Sequence, residues 1–186
     1  MSREYCSECT RPISECYCSA IETVSSPTKV TIIQHPSEVD HPYNTGRIVH
    51  RCLESCELII AEQLSDEKLS SVINDNACLL FPNLAWLPTV SAAPSFINHL
   101  IVIDATWKKA KKVLHLNPEL QQLPRLALTG HSPSRYHIRK GSMPDGLSTI
   151  ESIVYALEQQ QPDTSYQALL KPFEKMVELA RRYEPN

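Results

Sequence analysis

The chain has 186 residues, enough for one domain with a substantial core and a small appendage. Hydrophobic residues make up 42% and charged residues 21%, which is typical of a soluble globular protein. No stretch approaches the roughly 18 consecutive apolar residues of a membrane span, and the first residues lack the apolar core of a signal peptide. With a net charge of −3, the chain is not a polyanion binder by bulk charge.

The first half of the chain begins with a segment unlike the rest. Residues 1–26 are rich in Cys and Ser and poor in apolar residues, which predicts a small irregular module ahead of a domain over residues 27–186. Thr45 is a candidate cap for the first helix of that domain. The predicted elements up to residue 81 are, in order, a strand over 29–35, a helix over 46–56, a strand over 58–61, a helix over 66–74 and a strand over 77–81.

The second half continues the alternation of strands and helices. Residues 82–98 are predicted to form a Pro-rich loop, and residues 129–147 a long polar loop of the kind that is usually functional. The remaining predicted elements are a buried strand over 99–103, a helix over 106–116, a short strand over 126–128, and helices over 149–160 and 164–182. This alternation predicts an α/β fold, a mostly parallel sheet with flanking helices.

Four cysteines near the start have the spacing of a metal site. They follow the pattern C-x2-C-x6-C-x-C and are Cys6, Cys9, Cys16 and Cys18. Four thiolates suit a tetrahedral Zn²⁺ and leave no open position, so the sequence predicts a structural zinc, with a disordered Cys-bearing tail as the alternative. The other cysteines, Cys52, Cys56 and Cys78, lie in apolar patterns and are predicted to be buried thiols of a reducing cytoplasm.

Three polar motifs follow predicted strands or open a helix, where open parallel sheets bind ligands. His35 and Glu38 follow the first strand, and Asp104, Thr106 and Trp107 follow the best core strand. Gly146 to Glu151 ends the long loop and includes a capping box at Ser148. Each has a plainer interpretation: a solvated loop for the first, a helix cap for the second and a cap alone for the third.

Basic residues are clustered although the net charge is negative. Lys108, Lys109, Lys111 and Lys112 lie within five residues, and the simplest interpretation is a solvated helix face. Two further groups are Arg47 with Arg51, and Arg135 with Arg139 and Lys140. A basic face on a mildly acidic protein is compatible with RNA binding.

Taken in order, the motifs resemble those of the DTW-domain family of tRNA-uridine aminocarboxypropyltransferases. The family takes its name from D-x-T-W, which is Asp104, Thr106 and Trp107 here. The other matching blocks are the Cys cluster, IIQHPSE with NTGR, LLFP, and YHIRK with GLSTIES. The resemblance covers nearly the whole chain, from about Cys6 to Leu157. It implies a fold related to the SPOUT class with a trefoil knot near the C-terminal part of the domain.

The resemblance also implies a reaction and a set of site residues. Uridine N3 in a tRNA would attack the γ-carbon of S-adenosylmethionine and release methylthioadenosine. Asp104 is the first candidate for a base or an anchor of the cofactor's ammonium group, with His35 and Glu38 as second choices. The candidate cofactor wall comprises Leu79, Phe81, Pro82, Asp104, Thr106, Trp107, Leu147, Ser148 and Thr149. The candidate RNA-binding residues are Arg47, Arg135, Tyr136, Arg139 and Lys140.

Two other functions stay open at this point. An S-adenosylmethionine-dependent RNA methyltransferase would use the same cofactor but leave S-adenosylhomocysteine. A non-catalytic module that binds zinc and RNA belongs to a different class. The polar motifs at the strand ends argue against the passive module, because such a module does not need Asp104 beside Thr106 and Trp107.

Overall fold

A computed structural model describes residues 4–74, 76–130, 134 and 146–182 of the chain. Its centre is a sheet of five parallel strands in the order β2-β1-β4-β3-β5. The strands are β1 (Lys29–Gln34), β2 (Cys56–Ile60), β3 (Ala77–Leu80), β4 (His99–Asp104) and β5 (Arg125–Leu126). The α-helices are α1 (Gly46–Cys52), α2 (Asp66–Val72), α3 (Trp107–Leu116), α4 (Thr149–Gln160) and α5 (Lys171–Arg181). The predicted α/β class with a parallel sheet is confirmed.

Helices cover both faces of the sheet. Successive side chains of a strand point to opposite faces, and in the central strands the side chains on both faces are apolar and need to be buried. On β1, Ile32 packs into a core with α1, α4 and α5, whereas Ile33 packs into a second core with α2 and α3. Leu100 and Ile101 divide in the same way on β4. All four side chains are buried, so the central strands carry the continuous apolar runs that the sequence shows.

Two predicted helices are too long by four residues or more, and the one predicted over 66–74 by two. The helix predicted over 46–56 ends at Cys52, because Leu53 turns to an extended conformation and the chain enters β2 at Cys56. The helix predicted over 164–182 begins only at Lys171, after a 3₁₀ turn at Gln167–Leu170. Pro172 explains the second difference, since proline has no amide hydrogen and fits the first turn of a helix better than its interior.

The two central strands end where the connections diverge. Gln34 at the end of β1 lies beside Asp104 at the end of β4. After β1 the chain leads to α1 on one face of the sheet, and after β4 it leads to α3 on the other. Such a divergence opens a crevice at the carboxyl ends of the strands, which is where open parallel sheets bind ligands.

The Cys-rich segment packs against the domain. Cys9 and Tyr17 are buried and belong to the core that α1, α4 and α5 share. Lys171 on α5 forms an ion pair with Glu22 at 2.7 Å. The division of the chain at residue 26 stays a prediction, and so does the knot. None of the helices in the described part of the chain is long and apolar enough to cross a membrane.

Candidate active site

Asp104 joins three segments of the chain through its carboxylate. Its Oδ2 accepts hydrogen bonds from Gln34 Nε2 at 2.8 Å and Asn44 Nδ2 at 3.0 Å, and its Oδ1 accepts one from Thr149 Oγ1 at 2.6 Å. The residue is 2% exposed. Burying a carboxylate is costly unless hydrogen bonds compensate it, and here three neutral donors do so. Asp104 therefore fixes the end of β1, the start of α1 and the start of α4 relative to one another.

The segment Asn44–Gly46 is shaped around this carboxylate. A Cβ atom on Gly46 would lie 2.6 Å from Asp104 Oδ2, so only glycine fits without displacing the carboxylate. Asn44 also donates to the carbonyl oxygen of Glu38 at 3.0 Å and accepts from the amide of Arg47 at 2.8 Å. Thr45, the predicted cap, makes no side-chain capping bond. The cap of α1 is thus the amide oxygen of Asn44.

A cavity of about 320 Å³ lies beside Asp104, at the carboxyl ends of β3, β4 and β5. The first turn of α4 and the start of α3 close its sides, and Thr149 belongs to both its wall and the Asp104 cluster. The volume is at the lower end of the range for small-molecule sites. The wall residues are Leu80, Phe81, Pro82, Val102, Ile103, Ala105, Trp107, Ala110, Leu126, Ala127, Leu128, Gly146, Leu147, Thr149 and Ser152.

The structure divides the predicted cofactor residues into two groups. Five line the cavity: Phe81, Pro82, Trp107, Leu147 and Thr149. The other four are not part of its wall: Leu79, Asp104, Thr106 and Ser148. Leu79 points into the second core, Thr106 occupies the position before α3, and Ser148 forms the predicted capping box with Glu151.

Several wall residues were not predicted. Val102, Ile103, Leu126 and Leu128 have apolar side chains that the sequence pattern assigns to the core. The one feature of the sequence that could have identified them is their position at the ends of predicted strands, which also identified the polar motifs. A residue pattern alone does not separate an apolar side chain that fills a core from one that lines a cavity.

Aromatic rings line one side of the cavity mouth. Phe81 makes an edge contact with Trp107, with ring centroids 5.5 Å apart, and another with Trp86 at 6.5 Å. Trp107 is 52% exposed and Trp86 is 42% exposed. The two tryptophans therefore continue the apolar wall outward to the protein surface.

His35 is held by hydrogen bonds and Glu38 by an ion pair, both near Asp104. The His35 amide donates to the carbonyl oxygen of Asp104 at 3.0 Å. Its Nδ1 accepts from the Ser37 amide, which leaves Nε2 to donate to Glu62 Oε1 at 2.8 Å. Glu38 is buried and forms an ion pair with Lys109 at 3.2 Å.

Glu62 was not predicted, although it connects the loop after β1 to α3. Its carboxylate also forms an ion pair with Lys112 at 2.8 Å. Hydrogen bonds from Lys112 and, to a lesser degree, from His35 lower the pKa of Glu62. Only the tertiary structure brings Glu62 to His35, because 27 residues separate them.

The predicted RNA-binding residues divide as well. Arg47 is bound within the protein, where its guanidinium donates to Thr10 Oγ1 at 3.0 Å and to the carbonyl oxygen of Val39. It thereby connects the Cys-rich segment to the loop that precedes Asn44. The other four predicted residues lie outside the described residues: Arg135, Tyr136, Arg139 and Lys140.

The four predicted metal ligands come together. The sulfurs of Cys6, Cys9, Cys16 and Cys18 all lie within 4.8 Å of one another, with Cys6 to Cys18 and Cys9 to Cys16 both at 3.8 Å. Zn–S bonds of about 2.3 Å in a tetrahedron place sulfurs about 3.8 Å apart, so the cluster fits Zn²⁺.

The surroundings of the four thiols differ. Backbone amides of Cys9 and Glu8 lower the pKa of Cys6 to about 6, whereas burial raises that of Cys18 to about 12. Arg51 donates to Cys18 Sγ at 3.2 Å and pairs with Glu8 at 3.0 Å. A metal ion would stabilise the thiolates, and Arg51 would orient one of them from α1.

Comparison with known proteins places the chain in a family. Residues 3–181 match the model of the DTW domain, and the chain belongs to that family. The resemblance read from the Asp104, Thr106 and Trp107 motif is thereby confirmed. No solved structure gives a significant match to the chain.

Relatives in three species carry related names. The chain is 29% identical to tRNA-uridine aminocarboxypropyltransferase 2 of Macaca fascicularis, over 94% of this chain and 62% of that protein. It is 28% identical to the Drosophila melanogaster protein of the same name, over 91% of this chain and 72% of that protein. It is also 28% identical to tRNA-uridine aminocarboxypropyltransferase A of Arabidopsis thaliana, over 60% of this chain and 50% of that protein. The chain thus spans about 62% of the length of the first of these relatives.

Proposed function

We propose that this protein is a tRNA-modifying transferase that moves the 3-amino-3-carboxypropyl group of S-adenosylmethionine to N3 of a uridine. The observation that carries the proposal is the apolar cavity beside buried Asp104, at the strand ends where the D-x-T-W, NTGR and GLSTIES motifs meet. Membership of the DTW family and the names of the relatives support the reaction class.

The cavity wall suits the adenosine and methyl parts of the cofactor. Leu80, Leu126 and Leu147 offer apolar surface to an adenine. Trp107 adds an aromatic face that is about half exposed at the mouth. The amino and carboxylate groups of the donor would then turn outward, toward the RNA.

The electrostatics of the wall favour loss of the sulfonium charge. Uridine N3 attacks the γ-carbon next to the sulfonium, and methylthioadenosine leaves as a neutral thioether. A carboxylate against the sulfur would stabilise the charged ground state and slow the reaction. Among the described wall residues there is no acidic side chain, and Asp104 lies behind Thr149.

Asp104 acts in this proposal as a positioning residue. Three of the roughly four lone pairs of its carboxylate already accept hydrogen bonds, so a role as proton acceptor would require N3 to reach the remaining one, on Oδ1 of a side chain that is only 2% exposed. A positioning role requires no rearrangement. His35 and Glu38 stay alternative acceptors for the N3 proton, but His35 Nδ1 would first have to release the Ser37 amide, and Glu38 would have to release Lys109.

The Cys cluster holds a structural zinc in this proposal. Its four thiolates leave no position open for a substrate. The ion would instead order residues 4–26, which hold the loop before Asn44 through Arg47 and through the bond from Arg11 to the carbonyl oxygen of Pro42. Zinc thus serves the site at a distance, by fixing the loop that carries Asn44 and Gly46.

The test is incubation of the purified protein with S-adenosylmethionine and tRNA, followed by mass spectrometry of nucleosides and of the small-molecule product. We expect a uridine that carries the aminocarboxypropyl group, together with methylthioadenosine. S-Adenosylhomocysteine with a methylated nucleoside would identify the methyltransferase instead. Binding of tRNA without either product, using tRNA from a strain that lacks the protein, would identify the non-catalytic module.

A further inference from the structure

An open cleft lies beside the candidate site, on the outer surface of α3. Its lining, here named the Lys–Trp cleft, is Trp86, Lys108, Lys111, Lys112, His115 and Gln121, and its volume is about 350 Å³. Ala110, Val113 and Leu114 bury the inner side of α3 in the second core, so the lysines point outward. None of the residues predicted from the sequence to bind RNA lines this cleft.

We propose that the Lys–Trp cleft binds the RNA substrate, with Lys108 and Lys111 on phosphates and Trp86 against a base or ribose. This inference rests on the proposed function, because it assigns to the substrate of that reaction a second surface beyond the cavity. The partner that such a cleft would recognise is an RNA, a polyanion with exposed planar bases.

The charge of α3 does not fit a purely solvated helix. Residues 107–116 contain four lysines and no acidic residue, whereas solvated helices usually alternate charges of opposite sign. Lys108 and Lys109 also occupy the first turn, where the helix dipole disfavours cations. This arrangement lowers the stability of the isolated helix, so those lysines that the fold does not pair with a carboxylate are better explained by a function outside the fold.

The lysines differ in their partners within the protein. Lys109 and Lys112 form ion pairs with Glu38 at 3.2 Å and with Glu62 at 2.8 Å. Within the described ranges, Lys108 and Lys111 form no ion pair with a carboxylate. Two lysines on this surface are therefore available to an external anion, while Lys109 ties α3 to the loop after β1 and Lys112 ties it to the loop after β2.

Trp86 gives the cleft an aromatic face next to these charges. Lys111 Nζ lies 5.1 Å from the centroid of the Trp86 ring, within range of a cation–π interaction. Trp86 contacts Phe81, which in turn contacts Trp107 at the cavity mouth. An unbroken series of rings thus leads from the Lys–Trp cleft to the candidate active site. Single-stranded RNA loops are bound by such combinations of cations and stacking faces.

The test measures tRNA affinity as a function of salt for wild type and for Lys108→Ala/Lys111→Ala. Each phosphate contact adds about 0.7–0.9 to the slope of log K against log salt, so the double variant should lower the slope by about 1.4–1.8. The matched control is Lys68→Ala/Lys171→Ala, which removes two exposed lysines that pair with Glu57 and Glu22, away from the cleft. Its slope should equal that of wild type.

Trp86→Ala separates stacking from charge. Loss of one stacked base should weaken binding by about fivefold to 150-fold, with the salt slope unchanged. An affinity equal to that of wild type would overturn the assignment of Trp86. All variants are exposed changes, and circular dichroism checks that each is folded.

Binding and product formation are measured separately, so the two proposals can fail independently. A wild-type slope in the lysine variant, or equal losses in variant and control, would overturn the cleft even if wild type modifies tRNA. Displacement of tRNA by polyglutamate as readily as by polyuridine would assign the cleft to an acidic protein instead. A reduced slope together with no transfer product in wild type would keep the cleft and refute the chemistry.

Discussion

Replacement of Asp104 tests whether its carboxylate organises the site or performs the chemistry. Asp104→Ala leaves three donors without an acceptor, on Gln34, Asn44 and Thr149. Each buried donor that loses its partner costs about 1–3 kcal/mol, so three donors cost about 3–9 kcal/mol. Water that enters the space left by the carboxylate should keep the total in the lower half of that range, about 3–6 kcal/mol. At about 2–4 °C per kcal/mol for a chain of this size, the melting temperature should fall by about 6–24 °C.

Asp104→Asn is the informative variant because it retains the shape of the side chain. Its amide oxygen can accept from Gln34 and Asn44, and its amide nitrogen can donate to the Thr149 hydroxyl, which then becomes an acceptor. The loss should be about 1–2 kcal/mol, from weaker bonds to a neutral group. If Asp104 positions the segments, transfer should stay within about tenfold of wild type.

The assays are thermal unfolding and formation of the modified uridine, measured for Asp104→Ala, Asp104→Asn and Glu151→Ala. Glu151 is a matched control, because it is also a buried carboxylate but caps α4 through Ser148. It should lose stability with less effect on transfer than Asp104→Ala. An Asp104→Asn protein with a near wild-type melting temperature and about 100-fold slower transfer would refute the positioning role and assign Asp104 as the base. Weakened binding of S-adenosylmethionine in that variant would instead assign it as the ammonium anchor.

Three further predictions concern Gly46, the Cys cluster and His99. Gly46→Ala should lower both stability and transfer, the opposite of the usual gain from replacing a helical glycine, because its Cβ would meet Asp104 Oδ2; unchanged unfolding and transfer would contradict this. Metal analysis of protein purified under reducing conditions without chelators should find about one zinc per chain, and chelation should lower the melting temperature; a metal-free protein of full stability would refute the site. Burial lowers the pKa of His99, whose ring is bonded to Thr31 and Asn74, so its contribution to stability is complete above about pH 6.5 and decreases as the pH falls below that value. Urea unfolding of wild type and His99→Gln at pH 7.5 and 5.5 measures this, and an equal pH dependence of the two proteins would exclude His99 as a source.

The sequence by itself determined the class of fold, the family and the four-cysteine cluster. Continuous apolar runs on β1 and β4 predicted buried parallel strands because such strands are covered on both faces. Four cysteines within thirteen residues predicted the thiol cluster, because four thiolates at such short spacing suit one tetrahedral metal ion. The capping box at Ser148 and Glu151 is likewise local, and it occurs as predicted.

Only the tertiary structure decided which polar residues meet. Asp104 accepts from residues 70, 60 and 45 positions away in the chain, and local spacing carries no information about such contacts. The same is true of Glu62, which reaches His35 and Lys112 across the end of the sheet. Arg47 was predicted from the sequence to bind RNA, yet in the fold its guanidinium holds the Cys-rich segment through Thr10. The choice between solvent, core and site is made by packing between distant segments, and the sequence pattern describes only each segment alone.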